Sequence, residues 1–244
     1  MKKLIYLLIL IFISFIIISC TKHKSPTAPT TTENIRIKKF IFYDPSNNLF
    51  ATQILDYDSQ NRLYKFSEYD ANNNINKYYI YEYNADDLII KASEYDNSST
   101  LTRYMIYQYD ANGNTVSAVD YFYGNTTPAY VYNYEYVNGN LNKIIWLLNG
   151  TNPVSEDIYS YDVYGNIIKC EHYSTTYNPP TLTSYETTEY NSKNKMIKSS
   201  YHDASGNVES YFIYYYDEND NIIKTEYYLN NSLHFICIWE YETF

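Results

Sequence analysis

The chain has 244 residues, and its 28 aspartate and glutamate residues outnumber its 18 lysine and arginine residues, giving a formal net charge of −10 at pH 7. A surface of that charge repels nucleic acid and anionic lipid headgroups, so we expect no nucleic-acid partner. Tyrosine is the most conspicuous residue type, with 34 copies against only 6 glycines. The length suits one extended domain or a repeat array.

The first twenty residues predict an export signal. Two lysines precede a stretch from Leu4 to Ile18 that is almost wholly apolar. At about 15 residues, this stretch suits the apolar region of a signal peptide and falls short of the roughly 20 that span a bilayer. It ends in Ile-Ile-Ser-Cys at Cys20, which resembles the lipobox of bacterial lipoproteins. The resemblance implies a lipoprotein signal peptide over residues 1–20 and lipid attachment at Cys20. The alternative is an ordinary membrane anchor that ends in a chance cysteine.

Residues 21–34 are rich in Thr, Pro and Ser and have no apolar periodicity. They are predicted to be a disordered linker between membrane and folded body. An acylated Cys20 would be a membrane partner without a transmembrane helix, because two or more acyl chains hold a protein stably at a bilayer. Thr21 stands where some lipoproteins carry the aspartate that retains them at an inner membrane. By that resemblance we expect a lipid-anchored protein of the bacterial cell envelope, at the outer membrane or cell surface more than the inner membrane.

A tyrosine before a turn recurs along the rest of the chain at a nearly constant spacing of about 26 residues. These tyrosines are Tyr57, Tyr83, Tyr109, Tyr136, Tyr161, Tyr190 and Tyr216. A second turn divides each unit, and the segments between turns alternate polar residues with Tyr and Ile, as β-strands do. The pattern predicts an all-β fold over residues 35–244, a long antiparallel β-meander of about 16 strands in two-hairpin repeats.

The turns have a chemistry of their own. Asn-Gly at 112–113 and 138–139 is a strong hairpin signal, because both residue types tolerate positive φ. Since glycine is scarce, we expect asparagine to occupy most left-handed turn positions. The aspartates that open the turns, such as Asp58 and Asp110, are predicted to accept hydrogen bonds from turn amides.

The segments YDANGNT and YDVYGNIIK resemble the YD repeats of bacterial Rhs proteins and the teneurins, whose signature is Tyr-Asp-x-x-Gly followed by a strand. The resemblance covers most of residues 40–244. It implies a β-strand shell with roles in encapsulation, adhesion and carbohydrate contact. Sixteen strands are too few to close such a shell, so we expect an open sheet, curled or superhelical. A flat single-layer sheet is the alternative.

Two recurring side-chain types could carry binding. Tyrosines could form a stacking platform for sugars or peptides, but their recurrence in every unit favours a role in strand formation. A lysine column could bind anions, although cross-strand pairing with nearby glutamates is the favoured interpretation. The column comprises Lys65, Lys91, Lys143, Lys169, Lys198 and Lys224. Asp- and Asn-rich turns lack the glycine and glutamate of a calcium loop.

Catalysis finds little support in the sequence. His172, His202 and His234 lie in separate units without metal-ligand spacing, and no nucleophile motif occurs. We therefore predict no enzyme activity, no catalytic residue, no metal and no cofactor. Cys170 and Cys237 fall five strand steps apart in a meander, about 24 Å, which is too far for a disulfide. We expect two unpaired thiols.

The two ends of an open sheet would differ. The first strand carries lysine and arginine, which guard an edge, whereas the last carries the apolar residues Phe235, Ile236, Ile238 and Trp239. Phe235 and Trp239 could pack inward against the neighbouring strand. Alternatively this edge accepts a strand from a partner or a second copy, which would give weak self-association.

Two functional hypotheses follow. The leading one is a non-enzymatic, membrane-tethered repeat protein that presents an extended β surface for binding a glycan, an envelope component or another protein. The alternative is a purely structural envelope lipoprotein without a small-molecule ligand.

Overall fold

The computed structural model describes residues 34–244, of which residues 36–242 form one compact unit. The predictions for the signal peptide, for Cys20 and for nearly all of the linker lie outside the described residues. In the described part, no helix is long and apolar enough to cross a membrane.

Sixteen antiparallel strands follow one another, each paired with the next along the chain. They are β1 (Ile35–Tyr43), β2 (Leu49–Tyr57), β3 (Leu63–Asp70), β4 (Ile75–Tyr83), β5 (Ile89–Asp96), β6 (Leu101–Tyr109), β7 (Thr115–Phe122), β8 (Tyr130–Val137), β9 (Asn140–Leu148), β10 (Asn152–Tyr161), β11 (Ile167–Ser174), β12 (Thr181–Tyr190), β13 (Met196–Asp203), β14 (Val208–Tyr216), β15 (Ile222–Leu229) and β16 (Ser232–Thr243). The predicted all-β class and the predicted number of strands are confirmed.

Most turns repeat one arrangement, shown here by the turn that starts at Asp110. Its carboxylate accepts the backbone amides of Asn112 and Asn114, both at 2.8 Å, and the side-chain amide of Asn114 at 2.9 Å. The hydrogen bond from the Asn114 side chain is the main cause that lowers the pKa of Asp110. Gly113 has a φ of 81°, and elsewhere asparagine supplies most of the non-glycine positive-φ positions. The predicted turn chemistry is confirmed.

In each unit, a tyrosine hydroxyl donates a hydrogen bond to a backbone carbonyl of the preceding strand. The hydroxyl of Tyr109, at the end of β6, donates to the carbonyl of Ile89, at the start of β5, with an O–O distance of 2.6 Å. The same bond joins Tyr57 to Ile37, Tyr83 to Leu63, Tyr136 to Thr115, Tyr161 to Leu141, Tyr190 to Ile167, Tyr216 to Met196 and Tyr241 to Ile222. Tyr241 is thus an eighth member of the series. The register of most strand pairs also shifts at the tyrosine, and such bulges bend and twist a sheet.

The sheet closes, so the predicted open, curled or superhelical sheet is wrong. β16 lies beside β1 and completes a sixteen-stranded barrel. Closure joins two aromatic surfaces: the ring centroids of Phe40 and Trp239 lie 4.8 Å apart, and those of Phe42 and Phe235 lie 5.8 Å apart. Curvature added at every unit brings the two ends together, and pairing them removes the cost of two exposed edges.

Closure also removes the predicted C-terminal edge. Phe235 and Trp239 are buried against β1, and Ile236 and Ile238 lie in a strand with neighbours on both sides. The expected strand addition and weak self-association through this edge have therefore lost their structural basis.

Both described cysteines are free, as predicted, and both are buried. Cys170 lies on β11 and Cys237 on β16, which remain five strands apart in the barrel. Burial raises the pKa of both thiols, so neither has the thiolate character of a reactive cysteine.

Candidate binding site in the barrel interior

Burial and register identify the inner face of the barrel. Phe66, Tyr227, Phe235 and Trp239 are buried although the barrel has no second layer of strands outside it, so these side chains point inward. Strand register then assigns the remaining positions, because directly paired residues share a face. Porins of sixteen to eighteen strands leave a water-filled channel, and we call the interior of this barrel the lumen.

The two ends of the barrel differ. We call the end where even-numbered strands finish in the bonded tyrosines the tyrosine rim. The opposite end, the loop rim, carries the two longest connections, residues 123–129 and 175–180. Inward tyrosines one step from the tyrosine rim line that half of the lumen: Tyr81, Tyr107, Tyr134, Tyr159 and Tyr214. Burial raises the pKa of each, so their hydroxyls remain neutral hydrogen-bonding groups.

A belt of charged side chains lines the lumen from the middle of the barrel towards the loop rim. The charged belt comprises Glu68, Lys77, Glu94, Arg103, Asp120, Asp157, His172 and Glu186. Its acids outnumber its bases, and strand pairing places them in neighbouring groups rather than in a single cluster.

The first group surrounds Lys77. Its ammonium nitrogen lies 3.9 Å from a carboxylate oxygen of Glu68 and 3.6 Å from one of Glu94. Glu94 also accepts hydrogen bonds from the Tyr79 hydroxyl at 2.6 Å and the Thr102 hydroxyl at 2.9 Å. Glu68 has no comparable hydrogen bond among the described residues, and burial raises its pKa to about 7.

The second group is an ion pair between Arg103 and Asp120. The guanidinium donates from Nε to Oδ1 of Asp120 at 2.6 Å and from Nη2 to Oδ2, so the contact is bidentate. Asp120 is fully buried, with 0% of its surface exposed, whereas 40% of the Arg103 side chain is exposed. The hydrogen bond with Asp120 raises the pKa of Arg103, which stays charged.

The third group is a chain of contacts through Asp157. One carboxylate oxygen accepts the indole N–H of Trp146 at 2.8 Å, and the other lies 2.7 Å from Nδ1 of His172. The Nε2 atom of His172 lies 3.9 Å from Glu186. Burial alone would lower the pKa of His172, but the hydrogen bond with Asp157 and the nearby negative charges outweigh it and raise the pKa. The two carboxylates therefore favour the cationic form of His172.

The outer face carries the lysine column in paired form. Lys91 lies 3.1 Å from Glu82, and Lys143 lies 2.9 Å from Glu156. Lys198 pairs with Glu189 across strands, whereas Lys169 and Lys224 each contact a glutamate two residues along their own strand, Glu171 and Glu226. Cross-strand charge pairing, the favoured interpretation of this column, therefore holds for Lys91, Lys143 and Lys198. Charges in the middle of a strand would be costly against lipid, so this face is typical of a surface in water.

Tyrosines on the outer face stack in pairs beside these lysines. Tyr78 stacks on Tyr95 with ring centroids 5.0 Å apart, and Lys65 lies over the ring of Tyr78 at 4.6 Å. Equivalent stacks join Tyr104 to Tyr121, Tyr185 to His202 and Tyr211 to Tyr228. Tyrosine thus serves both faces of the wall, as expected for a residue with a structural role in every unit.

The charged belt is the feature that the sequence-based predictions missed. His172 is inward while His202 stacks on the outer Tyr185, so the histidines do not converge. In residues 34–244, no group of three or more His, Cys, Asp or Glu side chains could hold a metal ion. A signal was available: Asp157 and His172 stand at equal distances from the turn centred near residue 164, and therefore pair across it.

Comparisons with known proteins support the fold. No family model and no curated protein matches the chain. A porin-like protein from Bacteroides uniformis has a similar structure, with a TM-score of 0.58 and 13% sequence identity, covering 88% of this chain and 100% of that chain. At this identity the likeness shows the fold alone.

Two toxin structures are more distant. The Photorhabdus luminescens Tc holotoxin pore gives a TM-score of 0.33 at 14% identity over 86% of this chain, and the TcdB2–TccC3 structure gives 0.36 at 11% identity over 91%. This chain spans only 15% and 16% of those chains, respectively. The YD-repeat resemblance therefore stays a prediction.

Proposed function

We propose that this protein is a non-enzymatic binding protein of the bacterial cell envelope, tethered through an acylated Cys20, with its ligand site in the lumen at the charged belt. The observation that carries the proposal is that five of the eight charged groups of the belt, Lys77, Glu94, Arg103, His172 and Glu186, remain partly open to solvent. The side chains of His172 and Glu186 are 27% and 30% exposed although both point into the barrel. A wall that served only as packing would bury apolar side chains there. The part of the barrel that runs from β14 through β16 and β1 to β3 does so.

A glycan is the ligand class that fits this lining. Hydroxyl-rich rings are held in proteins by carboxylate acceptors together with aromatic faces, and the lumen offers both in the belt carboxylates and the inward tyrosines. The ring of Tyr201 lies 6.5 Å from the ring of His172, beside the belt. The barrel fold is compatible with the outer membrane, and the charged outer face favours a tethered barrel over one embedded in lipid.

A glycan array probed with the full-length protein in detergent tests the lumen site. We expect specific binding that falls about tenfold or more in Tyr201→Ala, because an aromatic face is lost from the lumen. Tyr211→Ala is the matched control, since Tyr211 stacks on Tyr228 on the outer face. Loss in the control alone would move the site to the outer face. An array without any specific signal would favour the purely structural role.

Metabolic labelling with a fatty-acid probe tests the tether. Wild-type protein should carry the label and partition with membranes, and Cys20→Ala should do neither, because the lipobox resemblance places the acyl chains on residue 20. Equal labelling of the two proteins would contradict the assignment of Cys20.

A further inference from the structure

The carboxylates of the charged belt differ in what they already contact. Both carboxylate oxygens of Asp120 accept hydrogen bonds from Arg103. Asp157 uses one oxygen for Trp146 and the other for His172. Glu94 accepts two hydroxyl groups and faces Lys77. These three acids have little capacity left for a ligand, and Glu68, which lacks a hydrogen bond within residues 34–244, is only 5% exposed.

Glu186 is different. It makes no hydrogen bond within the described part of the chain, and its nearest cationic atom is Nε2 of His172 at 3.9 Å. That histidine is already committed to Asp157 through its other nitrogen at 2.7 Å. Burial raises the pKa of Glu186, opposed by the charge of His172, so the site disfavours a bare carboxylate. The side chain is nevertheless 30% exposed, which leaves it reachable from the lumen.

The surroundings of Glu186 indicate which ligand group would compensate its charge. Tyr201 lies directly opposite on β13 and shares the inward face. An ammonium group placed between a carboxylate and a tyrosine ring gains an ion pair and a cation–π contact together. A neutral hydroxyl would gain one hydrogen bond and would leave the carboxylate charge uncompensated. A single positive charge suits the site, because two carboxylates, Asp157 and Glu186, share one histidine there.

We propose that Glu186 binds the ammonium group of a small amine ligand in the lumen, with the ring of Tyr201 beside it. Resting on the proposed function, this assignment narrows the ligand class to sugars that carry a free amine.

Isothermal titration calorimetry of the full-length protein in detergent tests the assignment with three probes. Glucosamine carries the free amine, while glucose and N-acetylglucosamine are neutral controls of matched shape. We expect wild-type protein to bind glucosamine about tenfold more tightly than either control. Glu186→Gln should abolish this preference. Glu189→Gln should retain it, because Glu189 is on the outer face beside Lys198.

Two outcomes overturn the assignment. One is a wild-type protein that binds all three probes equally or binds none. The other is a Glu189→Gln variant that loses the preference as fully as Glu186→Gln.

A second measurement does not depend on variants: the side-chain carboxyl ¹³C signal of Glu186 should shift with glucosamine and not with glucose. Binding of neutral glycans that depends on Tyr201 but shows no amine preference would sink this inference while leaving the lumen site intact.

Discussion

Replacing Arg103 by leucine is expected to lower the free energy of unfolding by about 3–5 kcal/mol, because it leaves a buried charge without its partner. Asp120 is fully buried and receives both guanidinium hydrogen bonds. Without them, its carboxylate must lose its charge or remain uncompensated in the wall of the barrel. Urea unfolding followed by tyrosine and tryptophan fluorescence measures the change.

Two comparisons make this result specific. Lys91→Leu removes an outer-face ion pair with Glu82 whose side chains are 37% and 51% exposed, and such pairs contribute about 0–1 kcal/mol. The double replacement of Arg103 and Asp120 by leucine should recover most of the loss, since buried pairs and apolar substitutes are often similar in stability. An Arg103→Leu variant no less stable than Lys91→Leu would show that Asp120 does not depend on the guanidinium.

Local chemistry made the strands and turns of this protein predictable. The Tyr-turn spacing sets the sixteen strands, and residues such as Asn47 and Asn61 occupy the left-handed positions expected of asparagine. Both features depend on contacts within about twenty residues of chain. Closure depends instead on Phe40 meeting Trp239, and nothing in the local pattern near either residue indicates that contact.

The charged belt is not evident when acids and bases are compared along a strand without regard to which face each occupies. Lys65 and Glu68 are close in sequence, but an odd separation in a strand places them on opposite faces. Lys65 therefore lies over an outer tyrosine, and Glu68 faces the lumen. Pairing across the turn between β10 and β11 places Asp157 opposite His172 on one face, and this pairing is readable from the sequence.

The same reasoning about faces leads to a pH dependence centred on Glu68. Its side chain is 5% exposed, and burial raises its pKa from 4.5 to about 7. Lys77 acts to lower this pKa, and Glu94 acts to raise it. Gln53 lies directly opposite on β2, and its Oε1 atom is buried without a hydrogen-bond partner in the described structure. A protonated Glu68 supplies a donor beside that unpaired acceptor.

Folding therefore favours the protonated form of Glu68, and its contribution to stability is fully present below pH 4.5 and lost as the pH rises through about 7. The shift corresponds to roughly 3 kcal/mol. Glu68→Gln mimics the neutral acid, so the variant should gain about that much over wild type between pH 4.5 and pH 8. Urea unfolding at both pH values measures this difference, in which other titrating groups largely cancel.

Glu82→Gln, on the outer face, should show little change. A Glu68→Gln variant whose difference from wild type stays constant with pH would mean that Glu68 is charged in the folded barrel at neutral pH.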